Sequence, residues 1–198
     1  MRYDAEHKER THKRLLRQAA EALRSAGPER VGVARLMGKL GLTHGGFYAH
    51  FKSKDDLVAQ AIDEMFAQTL DGVKKMTAGL PPDAGLARYI DFYLSDKHVD
   101  WPGRGCALPA MAADVSRLGR AARRRFAAGT ERLCDEIADL LRALGHDDAQ
   151  AMELATSVLA EMAGAVAIAR AVDTPKLASD IRDHSRAAIK KRLGLLSA

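Results

Sequence analysis

Apolar residues recur at intervals of three and four along almost the whole chain, and no stretch alternates apolar with polar residues between hairpin turn signals. A chain patterned in this way can bury its apolar side chains only by packing helix on helix, which predicts an all-α fold. The breakers then divide it into about nine helices. Leu15, Leu16, Ala19, Leu23 and Ala26 stripe the first, which Gly27-Pro28 stops. Short helices follow at about 33–39 and 44–50, with Gly41 suited to a left-handed turn between them. Ser53 caps a long helix, with Asp55 and Asp56 in its first turn, that runs to about Thr77. Beyond Pro81-Pro82, a helix from Asp83 carries Leu86, Tyr89, Ile90 and Tyr93 and fades near Lys97, leaving 98–105 as a loop. Helices at about 107–118, 121–144, 148–172 and 175–193 complete the chain, Gly145 closing the second of them.

Charge is distributed unevenly over these helices. Residues 1–54 carry 12 Lys/Arg against 5 Asp/Glu, a net +7, whereas residues 55–198 carry 19 against 21, a net −2. A localised basic surface is the footprint expected for a phosphate backbone, and an anionic lipid surface would attract the same arm. Two short helices joined by a tight glycine turn on that basic segment are the parts of a helix-turn-helix. Thr43 can cap the second helix and present its free N–H groups to a phosphate. Gly45 and Gly46 let the backbone approach a groove wall. Tyr48 shares a face with His44, while Phe47 and Phe51 pair inward. His50, Lys52, Lys54 and the Tyr48 hydroxyl are placed for phosphates, with Arg35 and Lys39 on the preceding helix. The chain contains no Asn, and 43–50 contains no Arg or Gln, so bidentate base contacts are excluded there. Base readout is left to Thr43 and His44, with Arg35 or Lys39, and phosphate and shape readout should dominate.

The run Gly-Leu-Thr-His-Gly-Gly-Phe-Tyr-Ala-His-Phe-Lys-Ser-Lys at 41–54 resembles the signature of the TetR family of bacterial regulators: a turn Gly, a capping Ser or Thr, Gly two positions on, then Tyr-x-His-Phe and a Ser-Lys pair. The resemblance covers residues 10–60. Gly32 departs from it, standing where the family has a capping Ser or Thr. The resemblance implies a DNA-binding domain at 1–52 and a larger effector-binding and dimerisation domain at 53–198. It also implies a transcriptional repressor that binds a palindromic double-stranded operator as a homodimer and leaves it when a small-molecule or reactive-species effector binds.

Dimerisation is expected through the last two helices. The first has the stripe Leu154, Ala155, Val158, Met162, Ala165, Val166 and Ala169, and the second has Leu177, Ile181, Ala188 and Ile189. Core packing within one subunit is the other reading of the first stripe. Tyr93, Trp101, Cys106, Met111, Phe126 and Met162 are candidates to line the effector pocket, against the plainer reading as core. Cys106, after Arg104 and at the start of a helix, reads either as a thiol of lowered pKa open to oxidants and electrophiles or as a small buried hydrophobe. Cys134, inside a regular helix, reads as inert. The run Arg120, Arg123, Arg124, Arg125 reads as a solvated helix face or a seat for an anion.

Other classes find little support. Gly32 to Lys39 fails as a phosphate loop, because five residues separate its glycines and Leu40 replaces the Ser/Thr that would hold magnesium. His98 between Asp96 and Asp100 is a weak metal pattern. No catalytic constellation assembles, so neither enzyme activity nor a cofactor is expected. Two cysteines build no disulfide framework, and no stretch of about 18 uninterrupted apolar residues occurs. The charged opening stretch lacks the pattern of a secretory signal, so no membrane association and a cytoplasmic location are expected.

Overall fold

Glycine and proline end the helices where the sequence places them. The computed structural model describes residues 2–195; Met1 and residues 196–198, which the two expected domains include, lie outside the described residues. Among the described residues nine α-helices run in order: α1 (Arg2–Ala26), α2 (Val33–Lys39), α3 (Lys54–Thr77), α4 (Pro82–Tyr93), α5 (Asp96–Asp100), α6 (Ala107–Val115), α7 (Arg120–Ala143), α8 (Asp148–Ala171) and α9 (Pro175–Arg192). Two 3₁₀ turns, His44–Ala49 and Pro102–Arg104, lie between them, and no strand occurs among the described residues. Gly27, Gly41, Gly79 and Gly145 take the positive φ that ends a helix without a Cβ penalty.

The core is one continuous apolar cluster. Leu15, Ala19 and Leu23 of α1 meet Leu57, Ile62, Met65 and Phe66 of α3, which also packs against Leu133, Ile137 and Leu141 of α7. α8 closes the far side with Ala155, Val158, Met162 and Val166, and α9 covers α8. The small-residue stripe predicted on α8 therefore faces its own subunit: Ala155, Val158, Met162, Ala165, Val166 and Ala169 are buried and Leu154 is half-buried. Ser157, Ala160 and Ile168 point outward on the opposite face. α8 is, among the described residues, the one helix of a length and hydropathy, 1.5, that would suit a bilayer. That apolarity is what a helix packed between α7 and α9 needs.

The predicted loop at 98–105 is instead a helix and a 3₁₀ turn. Ser95 caps α5, its hydroxyl accepting from the His98 N–H at 3.3 Å, so the chain restarts a helix three residues after α4 ends. Arginines from three helices bind this connection's carbonyls. Arg24 of α1 donates to Gly103 O, Arg170 of α8 to His98 O and Val99 O, and Arg182 and Arg186 of α9 to Leu94 O. Backbone acceptors left over by short elements are thus paired with buried or half-buried guanidinium groups.

Candidate nucleic-acid interface

α2 ends in a Schellman turn: Gly41, at φ +70°, donates to Gly38 O at 3.1 Å, and Leu42 N reaches back to Met37 O at 3.0 Å. This reverses the chain into the next segment. Thr43, in extended conformation, caps that segment, its hydroxyl accepting from Gly46 N at 3.3 Å. The 44–49 segment winds as a 3₁₀ helix, an unusual length for that form. Neither glycine in it has positive φ. Gly45 faces open space, and a Cβ on Gly46 would touch only the Thr43 hydroxyl and Met37 at ordinary separations.

Phe47 and Phe51 hold the segment down. They are 1% and 2% exposed, with ring centroids 5.4 Å apart, and His12 of α1 stacks on Phe51 at 4.8 Å. The inward role expected of both is what the structure shows. On the other side Thr43, His44, Gly45 and Lys52 are exposed, and Tyr48 is 67% exposed, its ring edge-on to His44 at 6.4 Å. Lys54 is half-buried at the start of α3, and Lys52 is exposed just before it. The Ser53 hydroxyl accepts from Asp56 N at 3.1 Å, and the Asp56 carboxylate accepts from Lys52 N at 2.9 Å, which fixes the backbone that carries both lysines. A bond from the Gln60 amide at 2.9 Å, then the one from Lys52 N, hold the Asp56 carboxyl below its usual range.

One expected contact sits differently. His50 is half-buried and turns toward α1, its ring 5.9 Å from that of His12; burial, then His12 and Lys8, push its pKa down. It packs against α1 instead of standing outward with Tyr48. Arg35 and Lys39, one turn apart on α2 and exposed, line a groove of about 160 Å³ between α1 and α2 that includes Gln18 and Glu21.

The six candidate effector residues do not share one lining. Tyr93, Cys106, Met111 and Met162 are buried together, Phe126 is half-buried edge-on to Phe66 at 5.4 Å, and Trp101 is 53% exposed beneath Lys97 and Arg104. Cys106 caps α6, yet burial raises its thiol pKa, which fits the reading as a small buried hydrophobe and not the alternative of a thiol activated by the helix end and Arg104. Arg104 lies over Trp101, and the cations near the sulfur are Arg24 and Arg170. Desolvation outweighs them. Burial likewise raises Cys134.

His98 is a satisfied core histidine. Its Nδ1–H donates to Tyr93 O at 2.6 Å and its Nε2 accepts from Cys106 N at 3.0 Å, so both ring nitrogens are used. Burial, helped by the nearby Arg170 and Arg24 charges and opposed by the Tyr93 bond, lowers its pKa to about 4. Among the described residues no group of three or more His, Cys, Asp or Glu is placed to hold a metal. Among the described residues the buried Tyr89 hydroxyl has no hydrogen-bond partner, and the buried Tyr93 hydroxyl has only the Cys106 thiol beside it. Sequence reasoning missed Arg24 and Arg170, because their partners are backbone carbonyls roughly 70 to 80 positions away in the chain.

A capped short segment, backed by buried aromatics, preceded by a glycine turn and flanked by Lys52 and Lys54, is the arrangement of a helix-turn-helix in an all-helical chain. Comparison with known proteins makes this specific. Residues 15–61 match the model of bacterial regulatory proteins of the tetR family, and residues 82–184 match the C-terminal domain of LmrA/YxaF-like transcriptional regulators. The chain belongs to the TetR family of bacterial regulators.

Solved structures agree in fold. A TetR regulator from Chloroflexus aurantiacus superposes with a TM-score of 0.79 at 22% identity, covering 96% of each chain. Reduced NemR from E. coli gives 0.76 at 17% identity over 91% of this chain and 96% of that one. SCO4454 from Streptomyces coelicolor gives 0.67 at 23% identity, over 91% and 94%. A search of curated proteins returned no significant match.

Proposed function

We propose that the chain is a repressor that binds a palindromic DNA operator as a homodimer and is released by a small-molecule effector. One observation carries the DNA reading: Thr43, His44, Gly45, Tyr48 and Lys52 stand exposed together over the buried Phe47-Phe51 pair. Lys54, Arg35 and Lys39 extend this surface, and His50 and Gly46 support it from beneath. Residues 1–52 serve as the DNA-binding unit and residues 53–198 as the effector and dimer unit, in the cytoplasm.

Thr43 and His44 read bases, while the Tyr48 hydroxyl and the lysines meet phosphates, so affinity falls steeply with salt. The effector site centres on Tyr93, Cys106, Met111 and Met162, where the Tyr93 hydroxyl, with only a weak thiol partner, and the neighbouring Tyr89 hydroxyl favour a ligand that offers hydrogen bonds in an apolar surround. The buried, protonated thiol favours reversible binding there over direct attack by a reactive species. Genomic footprinting of the tagged protein tests the reading: discrete palindromic sites are expected, and diffuse enrichment would overturn it.

A further inference from the structure

We infer that the effector is an anion, a small carboxylate with an apolar body, seated against Arg24 and Arg170 beside Tyr89, Tyr93 and Cys106. The inference rests on the reading of Tyr93, Cys106, Met111 and Met162 as the effector site and names the chemical class that this site takes.

Among the described residues, five buried side-chain polar atoms have no nitrogen or oxygen partner. Four of them belong to one region: Arg24 Nε, Arg170 Nη1 and the hydroxyls of Tyr89 and Tyr93, the last with only the Cys106 thiol beside it. The fifth, His50 Nδ1, lies in the helix-turn-helix. Three helices bring the four together. Tyr89 and Tyr93 of α4 meet edge to face at 5.8 Å, Tyr93 lies against His98 at 4.6 Å, and His98 Nε2 accepts from Cys106 N at 3.0 Å. Arg170 of α8 donates to His98 O at 2.6 Å, and a Cβ on Gly105 would fall 3.0 Å from its Nη2, so this guanidinium lies against the residue before Cys106. Arg24 of α1 reaches Gly103 O at 3.2 Å. The charges of both arginines act on the Cys106 sulfur.

All four groups can donate. A guanidinium carries N–H groups and no acceptor, and a phenol hydroxyl has a proton to give. What the four lack in common is an acceptor.

Their charge calls for an anionic one. Every hydrogen-bond acceptor of the two guanidinium groups is neutral: Gln68, Met65 and Gly103 for Arg24, and the His98 and Val99 carbonyls for Arg170. Glu64 and Glu21 act on Arg24 more weakly than Cys106 does. Tyr93 and Cys106, the groups that bear on Arg170, are kept protonated by burial. Arg182, another buried arginine, differs, since the Asp96 carboxylate pairs with it at 2.5 Å. Unpaired charge at the edge of a core is costly, and water would serve the donors while leaving that charge. A carboxylate offers two oxygens to several donors, in bonds about twice as strong as neutral ones. Met111 and Met162, buried in the same cluster, have unbranched side chains that adapt to an apolar body. The wall here is α5 and the 3₁₀ turn, five and three residues long, and elements this short open at lower cost than the long helices behind them.

The test titrates the full chain with acetate, benzoate and octanoate, each against its amide, by calorimetry and by the fluorescence of Trp101, the single tryptophan of the chain, which lies on the 94–105 connection. Acid and amide share a shape, so their difference reads charge. At least one carboxylate should bind about tenfold or more tightly than its amide, and R170Q should abolish that preference. Tyr89→Phe and Tyr93→Phe remove only a hydroxyl. They should keep or raise the thermal midpoint and weaken carboxylate binding by about threefold to tenfold, which preserves the test if R170Q does not fold. Amides that bind as tightly as their acids, with both phenylalanine variants impaired, overturn the anionic class and leave the effector site standing. Binding that ignores both tyrosine changes, or no binding by either series, overturns the site reading as well.

Discussion

Gly129 lies in the middle of α7, where a Cβ would fall within the ring of Phe66 on α3. Glycine costs a helix interior about 1 kcal/mol relative to alanine, so its presence here marks close approach of two helices. Gly129→Ala should destabilise the protein by about 1–3 kcal/mol despite its better helix propensity. Urea denaturation measures it; a more stable G129A would refute the packing argument. His98 yields a second prediction at this scale. Its folded pKa of about 4 lies below the usual 6.5, so the folded state binds fewer protons between those values. Its contribution is therefore complete above about pH 6.5 and is lost as pH falls toward 4, on the order of 3 kcal/mol in all. His50, also lowered, adds to the same window. His98→Gln should flatten the decline in unfolding free energy between pH 6.5 and pH 4.5, values taken roughly from the span in which unfolded histidine protonates. An equal decline in both proteins would show that the acid sensitivity lies elsewhere.

Within the helix-turn-helix, two glycines should respond in opposite ways to the same substitution. Gly41 sits at φ +70° in the turn that reverses α2, so Gly41→Ala is expected to cost about 1 kcal/mol or more of stability. Gly45 has an ordinary backbone and open space around it, so Gly45→Ala should leave stability unchanged or raise it. On the proposed reading, that methyl group stands where DNA must approach, and affinity for duplex should fall. Thermal melting and anisotropy separate the two effects; tighter DNA binding by G45A would contradict the surface assigned. The turn, the cap and the aromatic pair here were legible in the sequence, because each depends on residues within a few positions of one another. The direction of His50 was not: it is set by His12 and Lys8, some forty positions earlier. Nor was α5, whose Ser95 cap follows so closely on α4 that the periodicity reads as one fading helix. Of the two readings of Cys106, the structure supports the small buried hydrophobe; the local features, Arg104 and a helix start, could not decide between them, because the burial that sets the thiol pKa comes from distant helices.

At the scale of the whole molecule, α1, α8 and α9 are tied to the 94–105 connection by arginines. Arg24, buried enough that its pKa falls to about 10, joins the end of α1 to Gly103, Gln68 and Met65, while Arg170 and Arg182 join α8 and α9 to the same connection. A ligand among Tyr93, Cys106 and Met111 would thus press on a segment that also holds the rear of the DNA-binding helices. Such coupling changes operator spacing only if two protomers share a rigid interface. The outward faces of α8 and α9 are suited to form one. Ile168 is 52% and Leu177 47% exposed, with Ala160 and Ala188 also turned out, while the inward face is fully used by the core. Small side chains flanking exposed aliphatic ones let helices of two subunits approach closely. A carboxylate at these positions would have to be desolvated in a dimer but costs little in a monomer, where the sites already meet water. Ile168→Glu combined with Leu177→Glu should therefore yield folded monomers by sedimentation, with thermal stability lowered only by loss of association. Duplex affinity should drop by about tenfold or more, because each half-site must then be bound separately. A double variant that remains dimeric would move the interface to another face of the molecule.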